Sequence, residues 1–193
     1  MARKLRRGFI KESEEYAEEY RKELGLQANS PLNPVVLANH LEIPVHDLST
    51  HPAISVKEKE FFLCKEPNLF SATTIADGNY REIIHNDNHH PNRQRSNIMH
   101  ELAHIVLGHP PKPPMLDENC RNYDPIMERE ASELSFILLI PKPAALHIVE
   151  EIKDISQAYE LYGVSPQLMQ YRLRKSDAKR WARNRALKAQ VSA

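Results

Sequence analysis

Cysteine is nearly absent from this chain. Its two cysteines, Cys64 and Cys120, stand far apart and outside any C-x-x-C spacing, so they offer neither a disulfide framework nor a thiolate metal site, and a reducing compartment fits best. Long apolar runs are also missing. The longest, Phe136 to Ile140, is too short to cross a bilayer, and the basic N-terminus is not followed by the apolar core of a signal peptide. The expectation is a cytoplasmic protein with no membrane segment. Net charge is absent as well, with 26 Lys+Arg against 26 Asp+Glu, which argues against a protein whose main task is gripping nucleic acid. Charge is nonetheless unevenly placed. Arg3, Lys4, Arg6, Arg7 and Lys11 open the chain without an acid, and from Tyr171 onward eight basic residues face only Asp177. Solvated helix faces and tails account for such ends, so direct nucleic-acid binding is not expected. No internal repeat or low-complexity tract appears, and the length of 193 residues suits one sizeable core with a small helical appendage.

What is present is chemistry concentrated in residues 100 to 104, His100-Glu101-Leu102-Ala103-His104. In a helix, residues four apart lie about one turn apart on one face, so the two imidazoles can share one metal ion. Glu101 lies about 100° round from His100, where it can reach a water at the ion without being a ligand. Ile98, Met99, Leu102, Ala103, Ile105, Val106 and Leu107 cover the rest of the wheel. A helix this apolar is largely buried, and its polar strip of Asn97, His100, Glu101 and His104 must face a cleft, an ion or polar partners. Gly108 ends it, and Pro110 and Pro111 prevent its return.

Hydrolytic zinc sites hold the ion with three protein groups and keep a fourth position for water. The third ligand is expected on the next strong helix, which begins after the capping Asp124 with Pro125 at its first position and runs to Ile140 before Pro141. On that wheel Glu130 lies within the stripe of Ile126, Met127, Leu134, Ile137 and Leu138. A carboxylate among aliphatic side chains needs a positive partner, which a divalent cation supplies. Glu133 at the stripe's edge is the competitor, Glu128 falls on the opposite face, and pairing of Glu130 with a buried Arg is the structural alternative.

Residues Arg95 to His109 (RSNIMHELAHIVLGH) and Glu130 to Pro141 (EASELSFILLIP) together resemble the signature of the ImmA/IrrE metallopeptidases. In the second segment that family shows E-A-N-x-F-A-x-x-L-L-x-P. Glu130, Ala131, Leu138, Leu139 and Pro141 match it, while Ser132, Leu134 and Ser135 depart at packing positions. The resemblance extends to Pro34–Val45, similar to the family's N-terminal helix and strand, and to Leu161–Leu173, similar to its C-terminal helical unit. It implies His100, His104 and Glu130 as metal ligands, Glu101 as the catalytic base and Zn2+ as the metal, although two histidines and a carboxylate also suit iron or manganese. It further implies limited proteolysis of a helix-turn-helix transcriptional repressor, here a separate polypeptide. Two other readings stand beside this one: a non-catalytic binding module for a repressor or DNA, and hydrolysis of a non-peptide amide.

The fold class expected is α+β: a mainly helical zincin-like domain over residues 1–150 with a small, largely antiparallel sheet, and a C-terminal helical extension over 151–193. Helices are read at 11 to 24 and from Asn33-Pro34 to about Leu41. Apolar or β-branched runs follow at 53 to 56, 59 to 64, 69 to 76 and 80 to 85, with Asp77-Gly78 as the hairpin signal. His89 and His90, in the loop before the His100 helix, are read as solvent-facing. The proline-rich stretch between His109 and Asp124 is read as a stiff connector. His109, Tyr123 and His147 are candidate donors to the oxyanion of hydrolysis. Ser165-Pro166 caps a final amphipathic helix that, with the preceding one, superficially resembles a helix-turn-helix.

Overall fold

The computed structural model describes residues 5–110 and 124–191. In chain order the elements are α1 (Phe9–Glu23), α2 (Pro34–His40), β1 (Val45–Asp47), α3 (Val56–Glu60), β2 (Ala72–Asp77), β3 (Tyr80–His85), α4 (Pro91–Val106), α5 (Pro125–Leu139), α6 (Lys142–His147), α7 (Ile155–Tyr162), α8 (Pro166–Lys175) and α9 (Ala178–Val191). The fold is α+β and mainly helical, as expected. Two compact units divide it, Met1–Phe9 with Asn33–Ser135 and Ile10–Leu32 with Phe136–Ala193.

In the first unit β3 is the central strand. It pairs antiparallel with β2, from Ala72↔His85 to Asp77↔Tyr80, around a two-residue turn whose Gly78 takes φ +54, a conformation open to glycine. On its other side β1 runs parallel to it, Val45↔Ile83 to Asp47↔His85, so the sheet is mixed. A parallel neighbour requires a crossover, and the chain between β1 and β2 provides it. Part of that crossover is helical where apolar runs pointed towards strand. Ser55 Oγ accepts from Glu58 N at 3.3 Å while Ser55 N donates to Glu58 Oε2 at 3.0 Å, a reciprocal cap that starts α3, and a π-helical turn over Phe61–Lys65 continues it.

Helix α4 packs on α2, β2 and β3. Its Ile98, Met99, Leu102 and Ala103 are buried with Leu37, Ala38, Ile83 and Ile84. Its start is set by His90, whose side chain accepts from Asn92 N at 3.2 Å, with Pro91 in the first turn. Gly108, at φ +65, ends it. The loop ahead of it is held by Asn86, fully buried, whose Nδ2 donates to the carbonyls of Phe62, Pro67 and Phe70 at 3.0, 3.3 and 3.1 Å.

In the second unit, two buried guanidinium groups meet the carbonyls that close α5. Arg21 Nη2 donates to Leu138 O at 2.9 Å, and Arg172 Nε donates to Ile140 O at 2.8 Å. Terminal helix carbonyls lack intrahelical partners and carry negative partial charge, so cations fit there. Burial lowers the Arg21 pKa to about 10, which leaves it charged at neutral pH. Glu14 completes the arrangement by accepting from Arg172 Nη2 at 2.8 Å and from Lys142 N at 2.7 Å. Among the described residues no single helix is long and apolar enough to cross a membrane.

Replacing Arg172 by Met would strip Glu14 of its charged partner and Ile140 of its donor. Loss of one member of a buried ion pair typically destabilises by about 3 kcal/mol. Urea unfolding of R172M is expected to show a loss of that order, and a change below about 0.5 kcal/mol would contradict this account.

Candidate metal centre

His100 and His104 stand one turn apart on α4, with ring centroids 4.8 Å apart and rings crossed at 76°. Their Nε2 atoms approach to 3.1 Å. The carboxylate that meets them belongs to Glu128: its Oε2 lies 3.2 Å from His100 Nε2 and 3.6 Å from His104 Nε2. These residues form the one group of three potential metal ligands with mutually close donor atoms among the described residues. All three are largely withdrawn from solvent, with side-chain exposures of 26%, 13% and 17% for His100, His104 and Glu128.

The donor set fits a divalent cation. A tetrahedral ion with bonds of about 2.0–2.1 Å holds its ligand atoms about 3.3–3.4 Å apart. The observed edges of 3.1, 3.2 and 3.6 Å bracket that value. Hydrogen bonding alone satisfies the triangle poorly. If each imidazole pointed an N–H at the carboxylate, the two N–H groups would crowd each other, with their nitrogens only 3.1 Å apart.

Glu101 is buried, 6% exposed, and its Oε2 accepts a hydrogen bond from Thr74 Oγ1 on β2 at 2.7 Å. Its Oε1 has no partner among the described residues. One carboxylate oxygen is thus anchored, and the other is available to take a proton.

A family model described as the IrrE N-terminal-like domain, peptidase M78, matches residues 65–174, more than half of the chain and inclusive of α4, Glu101 and Glu128. The chain belongs to this family. A metallopeptidase-type function follows from that membership, and the His100, His104 and Glu128 cluster is compatible with it. No curated protein matches the chain.

Sequence reasoning assigned the third ligand of this IrrE-like domain to Glu130, and the structure brings Glu128 to the histidines instead. Two residues on a helix point about 200° apart, so one glutamate facing the imidazoles turns the other away. The apolar stripe misled because it governs only the deeper part of α5. Ile126 and Met127 at its start are half-buried, whereas Ala131, Leu134, Ile137 and Leu138 are fully enclosed. A usable signal was present: Glu128 is the acid of the first turn of α5, where the helix dipole stabilises an anion.

Glu130 faces His109 and Arg6. Its Oε2 lies 3.6 Å from His109 Nε2, and its Oε1 lies 3.7 Å from Arg6 Nε. Of these two neighbours Arg6 supplies positive charge to the carboxylate, and His109 supplies a polar contact. His109 Nδ1 lies 2.9 Å from His104 Nδ1. Burial and the neighbouring His104 lower the His109 pKa despite the opposing pull of Glu130, so this imidazole is neutral at pH 7. His109 Nδ1 is thus taken up by His104, while its Nε2 faces Glu130.

His89 is buried rather than solvent-facing, its Nε2 lying 2.8 Å from Pro67 O and its Nδ1 3.4 Å from Asn97 Nδ2. His90 caps α4. His147 lies in α6 of the second unit, Glu133 is buried, and Tyr123 lies outside the described residues. Thr74 was not found from sequence, because nothing in an ATTIAD strand marks one threonine as facing a glutamate on a helix.

Removing Glu128 and removing Glu130 should have unequal effects on metal content. If Glu128 holds the ion, E128A is expected to lose at least about 100-fold in zinc affinity and E130A about 10-fold at most. Competition against a chromophoric chelator measures both, and the opposite ranking would make Glu130 the ligand.

Proposed function

We propose that this protein is a zinc-dependent endopeptidase that uses Glu101 as its general base, with His100, His104 and Glu128 holding the ion. The observation that carries the reading is the triangle of donor atoms at 3.1, 3.2 and 3.6 Å beside a buried, hydrogen-bonded glutamate. What the ion supplies when bound is Lewis acidity, which polarises the scissile carbonyl and acidifies the attacking water. The rest falls to the protein. Glu101 accepts the water's proton at Oε1 and delivers it to the nitrogen of the leaving amine, while Thr74 holds Oε2 so that the carboxylate does not rotate away. An intact base separates this reading from a pure binding module, which has no use for a carboxylate at that place.

Zinc is preferred over iron or manganese because two imidazoles and one carboxylate at tetrahedral spacing match its habitual site. The substrate proposed is a separate helix-turn-helix repressor, cut at a limited number of bonds. Family membership supports this choice by analogy, since nothing in the site itself selects a peptide sequence.

Two substitutions test the assignment. E101Q is expected to retain zinc and lose cleavage by about 10²–10⁴-fold. T74V is expected to lower kcat by about 10-fold with zinc affinity unchanged, as loss of an orienting hydrogen bond should. Incubation with a purified helix-turn-helix repressor, with and without chelator, provides the assay. Full activity in E101Q, or cleavage indifferent to chelator, would remove the proposal, and salt-sensitive retention of DNA without cleavage would favour the binding module.

A further inference from the structure

Behind the ligand His104 stands a second pair of titratable groups that the proposed chemistry does not use. His109 Nδ1 lies 2.9 Å from His104 Nδ1, the ring centroids are 5.0 Å apart, and Glu130 Oε2 lies 3.6 Å beyond His109 Nε2. The side chains of His109 and Glu130 are 8% and 13% exposed, so water competes little for these contacts.

The proton positions follow from one requirement. If His104 Nε2 offers its lone pair to an ion, a neutral His104 carries its hydrogen on Nδ1. That hydrogen points at His109 Nδ1, which must therefore accept. His109 then carries its own hydrogen on Nε2, directed at Glu130 Oε2. No other arrangement of the two neutral rings satisfies both the short nitrogen–nitrogen contact and a free Nε2 on His104. The last link, at 3.6 Å, is an electrostatic contact longer than a hydrogen bond.

We propose that His109 and Glu130 form a positioning relay, Glu130 to His109 to His104, that fixes the tautomer and ring orientation of His104 and strengthens it as a metal ligand. Ligand imidazoles elsewhere typically donate their second N–H to a carboxylate, a carbonyl or water. Here a second histidine takes that role, and the carboxylate acts one ring further out. Location explains the pattern. Gly108 ends α4 and turns the chain, with His109 N donating to His104 O at 3.0 Å, which folds His109 back against the last turn of its own helix. Glu130 reaches it because Glu128, on the opposite side of α5, occupies the imidazoles. The two glutamates thus divide the work, one at the ion's position and one behind a ligand.

This inference rests on the metal-site reading, and the test separates the two. Zinc affinity is measured on the full chain by chelator competition, and the visible spectrum of the Co2+-loaded protein reports ligand geometry. H109L, which cannot accept a hydrogen bond, is expected to bind zinc about 10–100-fold more weakly and to shift the Co2+ absorption bands. H109N, whose Oδ1 falls close to the position of Nδ1, is expected to restore affinity to within about 3-fold. E130Q, which keeps the shape but loses the charge, is expected to fall between wild type and H109L. If H109L does not fold, E130Q and H109N carry the test: unchanged affinity and spectrum in E130Q overturn the relay, as does an H109N affinity as weak as that of H109L in a folded protein. A wild-type protein that binds no zinc, or binds it regardless of E128A, overturns the underlying site instead.

Discussion

The approach of the Glu128 carboxylate to two imidazoles on α4 is the constraint to which the first unit answers. Three polar groups gather where α4 would otherwise bury apolar surface, and such a gathering is costly unless a cation compensates it. The surrounding structure is arranged to hold it. Apolar residues of α4 lock the helix against α2, β2 and β3, Asn86 fixes the loop that leads into it, and Gly108 returns His109 to its last turn. Each of these would be an ordinary packing feature elsewhere. Together they leave His100 and His104 little freedom to turn away from Glu128.

Periodicity made α4 and its polar strip legible, because the apolar arc and the four-residue spacing are local properties of one helix. The same holds for the end of α4 at Gly108, for the start of α5 after Asp124, and for the Asp77-Gly78 hairpin. Glu130 shows where locality fails. A wheel says which residues share a face and cannot say what that face meets, and the first turn of α5 meets the imidazoles with the side opposite its apolar stripe. Thr74 and the His109 relay were hidden for the same reason, since each depends on a contact between segments distant in sequence. At 53 to 64 the error was of another kind: a four-residue cap at Ser55 outweighed apolar content that suggested strand.

Helix α5 illustrates how one element serves two purposes along its length. Its first turn presents Glu128, and its last carbonyls, in the second unit, are met by Arg21 and Arg172. An acid near the start and cations at the end both agree with the direction of the helix dipole, so a functional demand and a folding demand do not conflict. Between these ends the buried Ala131, Leu134 and Ile137 carry the packing. Membership of the IrrE-like family accords with this arrangement, since the matched segment runs from before β2 into the last turn of α8 and takes in the whole of α5.

The most direct test of the account is an anomalous-diffraction crystal structure of the zinc-loaded protein. It should show a single ion about 2.0–2.1 Å from His100 Nε2, His104 Nε2 and a Glu128 oxygen, with Glu130 outside the coordination sphere. An ion bound by Glu130 or His109, or no ion at these residues under saturating zinc, would contradict it.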